Sequence, residues 1–388
     1  MSRPRILCLS LSPIHRDARV LRQLDVLAEH GDVTTVGYGP APDAATEHLQ
    51  VGDSLPSLPQ TPRGVLLLAT RRLKAAEAVA PALVETRRLL EGRTFDLVVA
   101  NEARILPVAA EVAARGRPHG EGPAPVWADM HEWAPQERSH VTSWRLLVAP
   151  LMSHVCRVYL PRAAAVTTVC DTIADLYRSE FGVRCEVVRN ARPFVDLSPS
   201  APLQGVIRLA HSGGAVPGRN IEALIDATLR LPHTTLDLIL VPANDGGKYL
   251  RQLRERAGAS DRIRFHDAVT PDELPAALNH YDVGVYCLPP ANLNMEYALP
   301  NKLFDFVQGR LAMVVGPSPE MGRFVREHEL GAVAVSFDVD DFTDAIAGLT
   351  PETVAAAKQS AHEKARELSS DTDVAVADAI VRRLLANA

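Results

Sequence analysis

A chain of 388 residues, 47% hydrophobic and 23% charged, carries more apolar material than one core usually takes, so two domains are expected. Its formal net charge of −6 argues against general attraction to a polyanion, and nucleic acid is not an expected partner. Five cysteines (Cys8, Cys156, Cys170, Cys185, Cys287) form no CxxC pair and leave an odd count, which speaks against a disulfide framework and a structural zinc site; they read as core thiols.

The start, MSRPRILCLSLSPIHRDAR, has an apolar run of about seven residues, too short for a signal h-region or a membrane span, so a cytoplasmic location is expected. RILCLSL (5–11) reads as a strand, and DARVLRQLDVLAEHG as a helix. Val20, Leu21, Leu24, Leu27 and Ala28 fall at helical spacing, Asp17 suits the start and Gly31 the stop. The runs DVTTVGYG, FDLVVANE, PVWADMHE, AAVTTVC and CEVVRN continue the alternation of strand and helix that gives a parallel sheet with helices on both faces. Between them, the segment Arg63 to Gly92 sets Arg71, Arg72, Lys74, Arg87 and Arg88 among Leu, Val and Ala. It reads as a solvated helix face, with a basic amphipathic helix making weak peripheral contact with the inner face of a membrane as the alternative.

The Pro- and Ser-rich stretch NARPFVDLSPSAPLQG (190–205) interrupts the periodicity and is the expected linker, dividing the chain into domains 1–197 and 198–388, with the last helix free to pack back on the first domain. A second series of apolar runs follows: VIRLAHSG, TLDLILVP, RIRFHDA, DVGVYCLP, LAMVVGP and GAVAVSF. The expected fold is therefore α/β, two Rossmann-like doubly wound parallel-sheet domains facing across a cleft, with ligands beyond the carboxyl ends of the strands.

The loop Ser212-Gly213-Gly214-Ala215-Val216-Pro217-Gly218-Arg219-Asn220 leads into the helical pattern IEALIDATLRL. Gly213 and Gly214 let the backbone approach a ligand closely, and Arg219 at the helix start can fork onto a phosphate. Gly213 and Gly218 have P-loop spacing, but Arg219 and Asn220 replace the Lys and the Ser or Thr that such a loop needs, so an ATPase is not expected.

The stretch from Asn294 to Phe306, NMEYALPNKLFDF, is the most specific in the chain. Pro300 suits the first turn of a helix, which places Asn301 and Lys302 at its positive end, where an anion belongs. Asp305, about a turn and a half further, is placed to accept from ribose hydroxyls. Leu299, Leu303, Phe304 and Phe306 read as core contacts. His131, in Asp129-Met130-His131-Glu132-Trp133, follows an apolar strand at its carboxyl end; Pro135 stands where an HExxH motif needs its second His. Asp338-Val339-Asp340 looks like a DxD metal motif but opens a helical pattern and suits an N-cap.

In these residues the chain resembles the retaining GT-B glycosyltransferases of the family-4 (group 1) type. ALPNKLFDFVQGRLAMVVGPSPEM resembles the family's donor-site helix, DARVLRQLDVLAEHG its first helix, VWADMHEW the strand leading to an active-site histidine, VTTVCDTIADLYRSEFGVRCEVVRNA its last N-domain unit, and SGGAVPGRNIEALIDA its phosphate loop. The resemblance implies an N-terminal acceptor-binding domain and a C-terminal domain holding a nucleotide-sugar. It implies that Asp305 holds the ribose, that Glu296 serves the donor sugar as a catalytic residue, and that Arg219, with Lys302, Asn301, Gly213 and Gly214, holds the diphosphate. The family's acidic pair is two Glu separated by seven residues, whereas here eight lie between Glu296 and a shorter acid at 305. His131 would hydrogen-bond the donor sugar or the departing phosphate. The family's glycine-rich first loop is absent, and Leu11 to Asp17 stands in its place, which leaves His15, Arg16 and Asp17 as acceptor-binding candidates.

The implied reaction moves the sugar to an acceptor hydroxyl with retention, using neither metal nor cofactor. A sugar-nucleotide 2-epimerase of the same fold and a non-catalytic sugar-nucleotide-binding protein are the alternatives. A nicotinamide oxidoreductase is disfavoured because neither half's first strand leads into GxGxxG.

Overall fold

The computed structural model describes residues 2–202 and 205–386. The chain forms two compact units, one from Met1–Arg189, Asn292–Asn294 and Asp373–Ala388, the other from Asn190–Ala291 and Met295–Thr372. The unit changes at Arg189, eight residues before the boundary expected after 197. The cause is local: in the stretch that reads as linker, the Val195 N–H donates to Gln308 Oε1 at 3.0 Å and Arg192 pairs with Asp305, so both residues are tied to the second unit. Part of that stretch, residues 203–204, lies outside the described residues.

The first unit contains β1 (Arg5–Pro13), β2 (Asp32–Tyr38), β3 (Glu47–Gln50), β4 (Leu97–Asn101), β5 (Val126–Met130), β6 (Ala165–Thr168) and β7 (Glu186–Val187). They pair in the order β3-β2-β1-β4-β5-β6-β7, and every pairing is parallel. Ile6 to Leu9 and Leu97 to Ala100 are wholly buried, as expected of strands covered on both faces. Ala377, Ile380, Val381 and Leu384, from the helix Ser370–Ala386, join Ile6, Cys8, Leu24 and Val99 in one core.

Helix Ala18–His30 is the amphipathic one its spacing predicts, and the Asp17 side chain caps it by accepting from the Val20 N–H. Gly31 ends it for a different reason from a left-handed cap. Its backbone is extended (φ −167°), and a Cβ there would stand 2.4 Å from the Pro4 carbonyl oxygen, so the glycine serves close approach. The segment 63–92 is three short helices, Pro62–Ala69, Leu73–Ala76 and Pro81–Leu89, and not one amphipathic helix. Its cations are largely engaged: Lys74 with Glu77, Arg87 with Glu111, Arg88 with Glu85, and Arg71 with the Leu146 carbonyl. Among the described residues no helix is long and apolar enough to cross a membrane.

The second unit contains β8 (Ile207–Ala215), β9 (Thr234–Pro242), β10 (Ile263–Asp267), β11 (Val283–Tyr286), β12 (Ala312–Val315) and β13 (Gly331–Val333), in the all-parallel order β10-β9-β8-β11-β12-β13. Both sheets thus reverse direction of growth beside their first strand, between β1 and β4 and between β8 and β11, which is where doubly wound sheets take ligands. The period of two is visible across the second sheet. Val283, Val285 and Val314 face one core, while Tyr286, Met313 and Val315 face the other. Gly284 lies on the latter side, and a Cβ there would be 2.4 Å from the Phe306 ring. This contact seats the helix Asn301–Gln308 tightly on β11. All five cysteines are free and only Cys185 is not fully buried.

Candidate functional site

The second unit's switch point is built from the loop after β8, the end of β11 and the helix Asn301–Gln308. Gly213 has φ +130°, and a Cβ there would lie 2.0 Å from Lys302 Nζ. The glycine therefore does two things: it takes a conformation that other residues rarely adopt, and it leaves room for the ammonium group. Lys302 Nζ also lies 5.6 Å from the Tyr286 ring centroid, and Arg219 Nη1 donates to the Tyr286 hydroxyl at 3.2 Å. Burial first, then the charge of Arg219, lower the Lys302 ammonium to about 8, with Asp305 opposing. His211, buried and stacked on Tyr286, donates from Nδ1 to the Val285 carbonyl at 2.9 Å; burial and the neighbouring Lys302 push it down to about 3, so it is neutral. Two cations and a neutral imidazole thus share one small region, with Asp305 the acid that acts on Lys302.

Asn220 (φ +57°) starts the ten-residue helix Ile221–Arg230 without capping it, its amide donating to the Phe337 carbonyl at 3.4 Å instead. The helix's leading N–H groups are then a ready anion site next to Arg219. Gly214 follows Gly213 at the same strand end. Pro300 proves to be the N-cap, not the first helical residue, so Asn301, which is exposed, opens its helix. Glu296 ends the short helix Leu293–Glu296 and is half-buried.

Asp305 differs from the simple expectation of an open carboxylate. It is 4% exposed, and one oxygen, Oδ1, accepts from Arg192 Nε. Burial raises its pKa, and Arg192 opposes the rise. Asp305→Ala is expected to cost about 2–3 kcal/mol of stability, less than the 3–5 of a fully buried pair because Arg192 keeps 23% of its surface. A loss under about 0.5 kcal/mol in urea titrations would show that the pair does not hold this helix.

In the first unit the side chains at the carboxyl ends of β4 and β5 form one buried network. Arg19 grips Asp129 with two bonds, Nη2 to Oδ1 at 2.6 Å and Nε to Oδ2 at 2.9 Å; Thr167 donates to Oδ1 at 2.6 Å. Burial alone would raise the Asp129 pKa, but Arg19 and then His131 hold it well below the usual carboxylate range. Asn101 donates to Gln23 Oε1 at 2.9 Å and to the Leu9 carbonyl at 3.3 Å, which leaves its Oδ1 to accept from His131 Nε2 at 3.1 Å. The proton of a neutral His131 is thereby placed on Nε2, and Nδ1, 4.0 Å from Glu102, is the nitrogen left for other work. Glu102 itself has φ +71° and ψ 159°, a strained conformation for any residue but glycine. Glu132 reaches water yet is pushed up to about 7 by desolvation and then by Glu137 and Glu102, so it exchanges a proton near neutrality.

The acceptor candidates separate. Asp17 is a helix cap, Arg16 is exposed, and His15 packs its half-buried ring on Gly39 with Nδ1 shielded and unpartnered. Asp338 stands at an N-cap position, as its sequence context predicts, although its side chain makes no capping bond. Tyr286 and His211 were missed by sequence reasoning, as were Arg192, Asn101 and Glu102. Asn101 and Glu102 directly follow an apolar run, so a strand-end rule reaches them; the buried Arg19 gives no such signal. Among the described residues the cluster with metal-ligand spacing is Glu29, His30 and Asp378, near the N-terminal end of β2.

The chain has the GT-B fold. Of its length, 98% superposes on all of the Anabaena HepE structure in complex with UDP-glucose, with a TM-score of 0.68 and 14% identity. All of it superposes on all of sucrose-phosphate synthase from Thermosynechococcus elongatus, with TM-score 0.68 and 13% identity. The UDP-forming α,α-trehalose-phosphate synthase of Burkholderia xenovorans matches with TM-score 0.65 and 13% identity, covering 99% of each chain. No protein-family model matches the chain, and no curated protein does.

Proposed function

We propose that the chain is a glycosyltransferase that takes a sugar from a nucleotide-sugar bound by its second unit and places it on an acceptor hydroxyl. The observation that carries this reading is the cradle of Gly213, Lys302, Arg219 and Tyr286 at the switch point between β8 and β11. It offers two cations and a helix N-terminus to a diphosphate. Since HepE is described with UDP-glucose, that is the first donor to test.

In this reading Lys302 and Arg219 stabilise charge on the departing diphosphate, Asn301 and the Gly213-Gly214 backbone complete its cradle, and the free oxygen of Asp305 accepts from ribose. The bond from the sugar's anomeric carbon to phosphate oxygen breaks, a bond to the acceptor oxygen forms, and the acceptor's proton passes to the diphosphate. Transfer with retention follows from the sequence resemblance, which also assigns Glu296 and His131 to the sugar. Charge on the leaving group is met by side-chain cations, so UDP release from UDP-glucose in the presence of mixed hydroxyl acceptors should persist in excess EDTA. Complete loss that magnesium or manganese restores would overturn metal independence. Absence of both UDP binding and UDP release would overturn the function.

A further inference from the structure

The first unit carries a pocket of about 370 Å3 beside β2 and the loop after it, lined by Tyr38, Asp53, Ser57, Arg104, Glu137 and Trp144. Two N–H donors in its wall have no partner. Arg104 Nε and Trp144 Nε1 are both shielded from water and unbonded. Trp144 is 5% exposed, so its indole N–H has little solvent to turn to, and a buried donor without an acceptor is rare enough to point to a ligand. The Arg104 guanidinium lies 5.9 Å from the indole centroid, which makes the two donors neighbours.

The charge in the pocket is already balanced. Glu137 accepts from Arg104 Nη2 at 2.5 Å, so the arginine offers Nε as a donor without demanding an anion. Asp53 accepts the Gly39 N–H at 2.8 Å with Oδ1, and a carboxylate has further lone pairs for a hydroxyl. Unpaired donors, a carboxylate acceptor and two aromatic side chains suit a sugar, whose hydroxyls both donate and accept while its C–H faces lie on rings.

A second cavity of about 230 Å3 shares Leu58, Gln60, Arg138 and Trp144 with the first. Apart from Ser143 its remaining wall is apolar, with Val65, Leu68, Val141 and Leu147 in it, and Val65 and Val141 are 42% and 38% exposed. Trp144 to Val148 is wound as a π-helix, an irregularity that recurs at functional sites, and it supplies Trp144, one of the residues common to both cavities.

We propose that these joined cavities are the acceptor site and that the acceptor is a glycoside with an apolar aglycone, its sugar in the polar pocket and its aglycone in the groove. The word acceptor rests on the transferase reading; the ligand class rests on the two cavities.

The test is calorimetric titration of the whole protein with hexyl glucoside, galactoside, mannoside and N-acetylglucosaminide below their micelle concentrations, against the four free sugars and hexanol, with UDP-glucose titrated in parallel. At least one hexyl glycoside is expected to bind at least tenfold more tightly than both its free sugar and hexanol. Trp144→Phe, which keeps a ring and loses the N–H, should weaken it about fivefold, and Val65→Asp, at an exposed position, about tenfold. Failure of all four glycosides to bind overturns the proposal, as does binding that Val65→Asp and Trp144→Phe leave unchanged. Equal affinity for free sugars and hexyl glycosides overturns the aglycone groove. The parallel UDP-glucose titration tells these failures apart from failure of the transferase reading, which would remove donor binding as well.

Discussion

Asp129→Leu is expected to lower the stability of the first unit by about 3–5 kcal/mol, because it strands the Arg19 guanidinium in the interior. Arg19 is 6% exposed, and its remaining bond, to the Val188 carbonyl at 2.7 Å, does not balance its charge. Thr167 loses its acceptor at the same time, and through Thr167 the change reaches Trp127, whose Nε1 donates to the Thr167 hydroxyl at 2.9 Å. The readout is clean, since the three tryptophans, Trp127, Trp133 and Trp144, all belong to the first unit. Urea unfolding followed by tryptophan fluorescence should show a lower midpoint, while the double substitution Arg19→Met with Asp129→Leu should recover much of the loss, as removal of both partners leaves no orphan charge. A single-mutant loss under about 1 kcal/mol would mean that water reaches this pair.

Lys302→Met is expected to weaken UDP about tenfold to a hundredfold, the loss of a charge-assisted contact worth about 1.5–3 kcal/mol, while uridine binding hardly changes. The sign of the pH dependence follows from the same group. Lys302 titrates near 8 in the free protein, against an ordinary 10.5, and the diphosphate binds its charged form better. Affinity is therefore full below pH 8 and falls as pH rises through about 8. Lys302→Arg, permanently charged, should abolish that fall, and Lys302→Met should flatten it at the weaker level. Calorimetry between pH 7 and 9.5 checks this. Equal losses for UDP and uridine, or a wild-type affinity flat across that range, would place the diphosphate elsewhere. Arg219→Ala should cost less, because Arg219 is exposed and partly screened.

Twelve of the thirteen strands among the described residues were legible as largely apolar runs, because a parallel sheet covered on both faces favours hydrophobic segments. The exception, Glu47–Gln50, reads EHLQ, pairs only with β2 at the sheet's edge, and has no pattern to betray it. The donor loop and the helix from Asn301 were legible because glycines, a proline and a lysine mark a strand end and a helix start. Pairings distant in sequence were not. Nothing in the spacing ties Arg192 to Asp305, 113 residues apart, or Arg19 to Asp129, 110 apart. In the basic stretch near Arg71 and Arg87, Lys74 and Arg88 answer acids three residues away, Glu77 and Glu85, as a solvated helix face would, whereas the partner of Arg87, Glu111, lies 24 residues on and has no signal in the spacing.

The helix Ser370–Ala386 gives the chain an unusual order of assembly. Ile6 and Cys8 are made more than 370 residues before Ile380, Val381 and Leu384, which share their core. The strands of the second sheet come from one stretch, Ile207 to Val333, and Ala361, Ala365 and Leu368 complete its core just before that helix is made. During synthesis the upstream sheet therefore keeps an apolar flank for as long as the downstream one takes to be made, instead of completing first as a leading domain commonly does. A nascent chain of this protein exposes its earliest strands longest, and that flank is where a chaperone would find it.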